Sequence, residues 1–127
     1  MAWGIAQQLL ADRPHMIVRS AGTSASLGSP PTDEAVAAVK AMNIDIGDHR
    51  STPLSLDLIQ WADVIYTMTQ SHRQRVLELW PRAADKTHCL DPDADIEDPI
   101  GAGALVYQRT AESIRHHLAR RLEESSP

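Results

Sequence analysis

The sequence lacks features that several common classes of protein require. It contains no Phe, and aromatic residues make up 4% of its 127 residues, which disfavours modules that stack nucleic-acid bases on aromatic side chains. A single cysteine excludes an intramolecular disulfide and a multi-cysteine zinc site. No apolar run approaches the ~20 residues of a transmembrane helix, and the first residues lack the basic and apolar regions of a signal peptide. We therefore expect a soluble, cytoplasmic chain.

Charge and size narrow the possibilities further. Acidic residues outnumber basic ones by 17 to 12, which gives a net charge of −5. That balance provides no general attraction for nucleic acid or for an anionic membrane. The apolar fraction of 43% is ordinary for a globular protein, and the length suits one domain over residues 1–127.

The spacing of apolar residues alternates between helical and strand patterns. It predicts helices at residues 1–13, after Pro30-Pro31-Thr32-Asp33, after Pro53, at 71–80 and at 105–122. Short β-branched runs predict strands at residues 16–19, 63–68 and 87–90. This order is typical of an α/β fold, in which a parallel sheet carries helices on both faces. Ligand sites in such sheets lie at the carboxyl ends of the strands, which places residues 20–24, 68–72 and 91–103 around one rim.

Asp98 is the main candidate for chemistry at this rim. A carboxyl group held there by Pro99 and Gly101 could protonate a leaving oxygen as a general acid. Asp-Pro and Gly are also typical of a plain turn, which the spacing alone favours. The acidic stretch before Asp98 starts like a calcium loop, but Ile96 and Ala102 stand where that loop needs Gly and Glu. No metal or cofactor is predicted.

Other polar residues have two interpretations. His49 and His72, near a strand end or a helix start, could orient an anion, although taken alone such residues favour capping and solvation. Cys89 falls within a predicted buried strand and lacks the exposed, positive surroundings of a nucleophilic thiolate. We therefore expect Cys89 to be packed and inert, which leaves the chain without a nucleophile.

Several short motifs follow one another along nearly the whole chain. They are Ser20-Ala21-Gly22-Thr23, Asn43-Ile44-Asp45, His49-Arg50-Ser51 with Leu54, Ala62-Asp63-Val64-Ile65-Tyr66-Thr67-Met68 with His72, and Ile96-Glu97-Asp98-Pro99 before the helix containing Tyr107. Together they resemble the low-molecular-weight protein tyrosine phosphatases. Ile100, where mammalian members carry Tyr, resembles the bacterial type.

The sequence departs from that family in one respect. The family's defining C-x5-R-S-P motif does not occur, and Met1-Ala2-Trp3 corresponds to the Met-Ala-Glu that typically follows it. The resemblance implies that the Cys thiolate of this motif attacks phosphorus while its loop and Arg hold the phosphoryl oxygens. It also implies that Asp98 protonates the leaving group and then activates water. Ser20, His49 and His72 are assigned to substrate binding.

The resemblance also implies a sheet with the strand order 2-1-3-4. Without the first, central strand, the predicted strands at 16–19 and 63–68 would have unpaired edges, which invite pairing with another chain. We expect either direct pairing of these two strands or a homodimer through their edges.

Three functions follow from these observations. We expect first that the chain is part of a complete phosphatase whose gene starts upstream of Met1. Its substrates would be phosphotyrosine or phosphoarginine proteins, or small phosphomonoesters, once the missing loop is supplied. Alternatively, the short chain is a catalytically inactive interaction or dimerisation module. An arsenate reductase of the same fold would need further redox cysteines, which disfavours it.

Overall fold

Helices and two short strands alternate along the part of the chain described by the computed structural model, residues 1–23 and 27–124. In chain order these are α1 (Ala2–Leu9), α2 (Asp33–Lys40), α3 (Leu56–Trp61), β1 (Ile65–Thr67), α4 (Gln70–Leu79), a 3₁₀ helix (Pro81–Lys86), β2 (Thr87–Cys89) and α5 (Ala104–Glu124). Ser24, which belonged to the predicted rim, lies outside the described residues.

The two strands run parallel, with Ile65 opposite Thr87 and Thr67 opposite Cys89. Successive side chains of a strand point to opposite faces. Ile65 accordingly packs with a small cluster built from α3, α4 and the 3₁₀ helix, whereas Tyr66 packs against a larger cluster that includes α1, α2 and α5. Helices therefore cover both faces of a parallel sheet, which confirms the predicted α/β class.

The larger cluster forms the main core. Its buried members are Ile5, Ala6, Ala35, Ala38, Val39, Ile44, Ile46, Leu90, Ile96, Tyr107, Ala111, Ile114 and Leu118. The four from α5 lie at the helical spacing read from the sequence. Burial of this one stripe holds α5 across α1 and α2.

Hydroxyl side chains fix where three of the helices begin. Thr32, Ser55 and Thr69 each accept a hydrogen bond from a backbone N–H three residues further on, at 3.1–3.3 Å. Such caps satisfy backbone donors that have no partner within the helix. α1 has no side-chain cap. It also ends at Leu9 rather than at residue 13, because residues 10–16 form successive turns instead.

The predicted strand at residues 16–19 is wrong. Nowhere in residues 1–23 and 27–124 does a backbone group bond to Ile17, Val18 or Arg19. Its direct pairing with residues 63–68 is also wrong, because the described partner of β1 is β2. A β-branched run becomes a strand only where a neighbouring strand supplies partners for its backbone groups. The described sheet thus has two strands rather than three.

Pairing begins a few residues later in the chain. Gly22 forms a parallel bridge with Pro53, in which its N–H donates to Thr52 at 2.9 Å and its carbonyl accepts from Leu54 at 3.0 Å. Val18 packs partly against the main core, while the side chain of Ile17 remains 70% exposed. Residues 17–19 are therefore held by the packing of Val18 and by the bridge at Gly22, while their own backbone groups have no partner in the described part of the chain.

Gly4 allows α1 to approach the segment that follows α2. A Cβ atom at this position would lie 2.5 Å from Cγ2 of Ile46 and 2.9 Å from Cγ2 of Ile44. Both isoleucines are buried, and their β-branched side chains have little rotational freedom. A larger residue at position 4 must therefore push α1 away from the core.

We expect Gly4→Ala to destabilise the protein by about 1–3 kcal/mol, because overpacking outweighs the better helix propensity of Ala. Urea unfolding followed by circular dichroism measures the change. Gly103→Ala is the matched control, since an added Cβ there meets no atom within 4 Å. An equal effect of the two substitutions would contradict the close-approach explanation.

Candidate active site

The loop that contains Asp98 follows β2 and is bonded to the carboxyl end of β1. The carbonyl of Thr67 accepts a hydrogen bond from Leu90 at 2.7 Å, and the carbonyl of Met68 accepts one from Ile96 at 2.8 Å. The carboxylate of Asp95 accepts the N–H of Gln70, at the start of α4, at 3.0 Å. The segments 68–72 and 91–103 are therefore joined at one edge, as the parallel arrangement predicts.

Asp98 is exposed and lies in a tight turn. Its carboxylate accepts the N–H of Ile100 at 3.1 Å, Pro99 before that residue is buried, and Gly101 has a φ of +83°. The charge of Asp98 raises the pKa of the Met1 amine against the larger lowering by burial, so the two charges lie close enough to interact. The turn and the candidate acid are thus the same structure. The turn holds a carboxyl group near the N-terminus of α1, and helix N-termini favour anions.

Ser20 and His49 lie beside the first turn of α1. Oγ of Ser20 lies 3.2 Å from Nε2 of His49. The His49 ring stacks on Trp3 of α1, with ring centroids 4.6 Å apart and planes inclined by 21°. Burial lowers the pKa of His49, and the charges of the Met1 amine and Arg50 lower it further. The neutral imidazole therefore remains available as a hydrogen-bond partner for Ser20 near neutral pH.

A cavity of about 380 Å³ opens beside this stack. It is lined by Trp3, Asp45, Asp48, His49 and Arg50. The Asp45 carboxylate accepts the N–H of Gly47 at 2.8 Å, and Nη1 of Arg50 donates to the carbonyls of Gly47 and His49, also at 2.8 Å. These local bonds shape the loop that presents His49 to α1.

His72 is not joined to the other candidates. Its backbone N–H is bound to the Thr69 side chain at 3.1 Å. Within the described ranges, no hydrogen bond, ion pair or ring contact links His72 to Ser20, His49 or Asp98. The structure therefore places His72 in the first turn of α4, where its backbone N–H donates to the capping hydroxyl of Thr69.

Cys89 is buried in β2, as predicted, with 8% of its surface exposed. Oγ1 of Thr67 lies 3.7 Å from its sulfur, and Nη2 of Arg121 donates to its carbonyl at 2.6 Å. Within residues 1–23 and 27–124, no group of three or more His, Cys, Asp or Glu side chains could hold a metal ion. None of the helices in that part of the chain is both long and apolar enough to cross a bilayer.

Two contributors to the site were missed at the sequence level. Trp3 stands where the family's Met-Ala-Glu has Glu, and nothing in the sequence indicated its contact with His49. No role of Arg121 is evident from the sequence, yet it bonds to the carbonyl of Cys89 at 2.6 Å and to that of Leu90 at 3.2 Å. Arg121 therefore ties α5 to the end of β2, from which the Asp98 loop departs.

Comparison with known proteins shows to which family this arrangement belongs. The family described as low molecular weight phosphotyrosine protein phosphatase matches residues 1–125. A protein-arginine-phosphatase of Geobacillus stearothermophilus is 33% identical over 116 residues, which cover 87% of this chain and 78% of the relative. An arsenate reductase of Bacillus cereus is 29% identical and covers 94% of this chain and 79% of the relative.

A solved structure gives the same result at the level of the fold. The low molecular weight protein tyrosine phosphatase from T. tengcongensis has a TM-score of 0.91 and 31% identity, covering 97% of this chain and 88% of that one. The family match covers nearly all of the sequence, and the solved structure has the same fold. This chain therefore belongs to the low molecular weight phosphotyrosine protein phosphatase family.

Proposed function

We propose that this chain carries the acid–base half of a phosphatase that removes phosphoryl groups from protein side chains. The observation that carries the proposal is the exposed carboxylate of Asp98, held by its turn and close enough to the start of α1 for its charge to act on the Met1 amine. Ser20 supports it, because its partner His49 stacks on Trp3 of the same helix. A proton donor beside a helix N-terminus suits the departure of a leaving group from an anionic phosphoryl centre.

We further propose that the nucleophile belongs to a segment outside these 127 residues, and that residues 1–127 alone are inactive. The one cysteine in the sequence is Cys89, which is buried in β2 and engaged by Thr67. The family's C-x5-R-S-P motif would supply the thiolate and the phosphate-binding Arg.

In the proposed reaction the thiolate forms an S–P bond as the bond from phosphorus to the leaving atom breaks. Asp98 gives its proton to that leaving atom, which would otherwise depart as an anion. The Asp98 carboxylate then removes a proton from water as the water oxygen attacks the phosphocysteine. The S–P bond breaks, and inorganic phosphate and the thiolate are released.

The proposed substrates are phosphoarginine and phosphotyrosine side chains. The arginine phosphatase and the tyrosine phosphatase described above are similar to this chain to nearly the same degree. Exposed apolar side chains follow Asp98, with Ile100 68% exposed and Leu105 57% exposed. An aliphatic surface of this kind can contact the stem of an arginine as well as a tyrosine ring. The ratio of kcat/KM for phosphoarginine and phosphotyrosine peptides of one sequence decides between them.

The role of Asp98 is tested in the chain extended at its N-terminus by a strand and a C-x5-R-S-P loop of the family pattern. We expect no hydrolysis of phenyl phosphate by residues 1–127 alone and measurable hydrolysis by the extended chain. Asp98→Asn in the extended chain should lower kcat/KM by about 10²–10⁴-fold, because kcat/KM reports the step in which the leaving group departs. The loss should be smaller with p-nitrophenyl phosphate, whose leaving group needs little protonation.

Asp93→Asn is the matched control, because Asp93 is an exposed acid of the same loop. It should leave both rates unchanged. Equal losses for the two phosphate esters in Asp98→Asn would show that Asp98 does not act as the acid. Activity in the unextended chain would show that the nucleophile lies within residues 1–127.

A second candidate function, pairing with another copy of the chain, is favoured by one observation. The backbone groups of residues 17–19 have no hydrogen-bond partner in the described part of the structure, and Ile17 beside them is largely exposed. Open backbone of this kind can add a strand from a second chain. We propose that residues 1–127 alone form a homodimer through this segment.

We expect residues 1–127 to remain dimeric on dilution to micromolar concentration in size-exclusion chromatography with light scattering. Ile17→Lys should yield a monomer, because a charge would then face the paired segment. Leu105→Lys, which alters an exposed apolar residue elsewhere, should leave the dimer intact. A monomer at all concentrations would reject this interface.

The proposed phosphatase is favoured over an arsenate reductase by the state of Cys89. Reduction of arsenate requires thiols that can exchange with one another. Cys89 is the one thiol of the sequence, and its burial in β2 removes it from such exchange.

A further inference from the structure

Trp3 occupies an unusual place in the site. It lies in the first turn of α1, its ring stacks on His49, and it packs partly against the main core. His49 belongs to a different segment, the loop after α2, and its Nε2 lies 3.2 Å from Oγ of Ser20. One aromatic contact therefore connects α1, the loop after α2 and the Ser20 segment.

The His49 ring borders a cavity that also contains charged groups. The Met1 amine and Arg50 place positive charges near the ring, while Asp45 and Asp48 line the same cavity. An imidazole can rotate about its side-chain bonds unless a neighbour restrains it. A stacked ring confines it to one plane, because turning would lose the parallel contact with Trp3.

We propose that Trp3 is a positioning residue, which by stacking on His49 keeps Nε2 of that imidazole directed at Oγ of Ser20. Ser20 is thereby held at the edge of the site, while the carboxylates of Asp45 and Asp48 are left to the cavity. The relevance to catalysis rests on the proposed function. The geometry itself can be measured in residues 1–127 whether or not they hydrolyse anything.

The test is NMR spectroscopy of the full chain with labelled histidines. In the unaltered protein we expect nuclear Overhauser contacts from the His49 ring to Trp3 and to the β-protons of Ser20. Trp3→Leu keeps an apolar side chain without a ring, and it should abolish the contact with Ser20. It should also raise the titration midpoint of His49, because the ring loses part of its cover.

Trp3→Phe is the conservative variant and should retain both signals, because it restores an aromatic face. Unchanged amide shifts in β1 and β2 confirm that each variant is folded. Persistence of the Ser20 contact and of the midpoint in Trp3→Leu would overturn the proposal. Absence of the Trp3 and Ser20 contacts in the unaltered protein would also overturn it, without recourse to any variant. Neither result depends on whether Asp98 proves to be a catalytic acid.

Discussion

The parallel ladder between β1 and β2 is three residues long, and the arrangement of the other elements depends on it. A backbone hydrogen bond contributes only about 1 kcal/mol net to stability. A ladder of three residues is therefore not stable by its hydrogen bonds alone. It persists because Ile65 is covered by one group of helices and Tyr66 by another. The helices on both faces of the sheet therefore also fix the positions of the loops that leave its carboxyl end.

The same constraint explains why the Asp98 loop is well placed although it is exposed. Leu90 bonds to the end of β1, and Asp95 bonds to the start of α4. Arg121 bonds to the last residue of β2 and to Leu90 from the side of α5. These bonds attach a loop without regular structure to β1, α4 and α5. The three elements together fix the position of the loop that contains Asp98.

Local sequence signals predicted much of this fold. The stripe containing Tyr107 and Ile114 predicted α5, Thr32 marked the start of α2, and β-branched residues marked β1. Residues 16–19 carry an equally strong strand signal, but a strand requires a partner, and pairing is not encoded in the segment itself. The site followed the same division. Pro99 and Gly101 predicted the turn that holds Asp98, whereas the contact of Trp3 with His49 depends on the close approach of α1 permitted by Gly4.

The buried position of the single cysteine has a practical consequence. A thiol reagent reaches Cys89 only when β2 separates from its neighbours, because the sulfur is covered in the folded chain. The rate of its modification therefore reports how often the middle of the molecule opens, in the way that hydrogen exchange reports local unfolding. Residues 1–127 alone thus carry their own probe of breathing motions at the ladder, with no second thiol to obscure the signal.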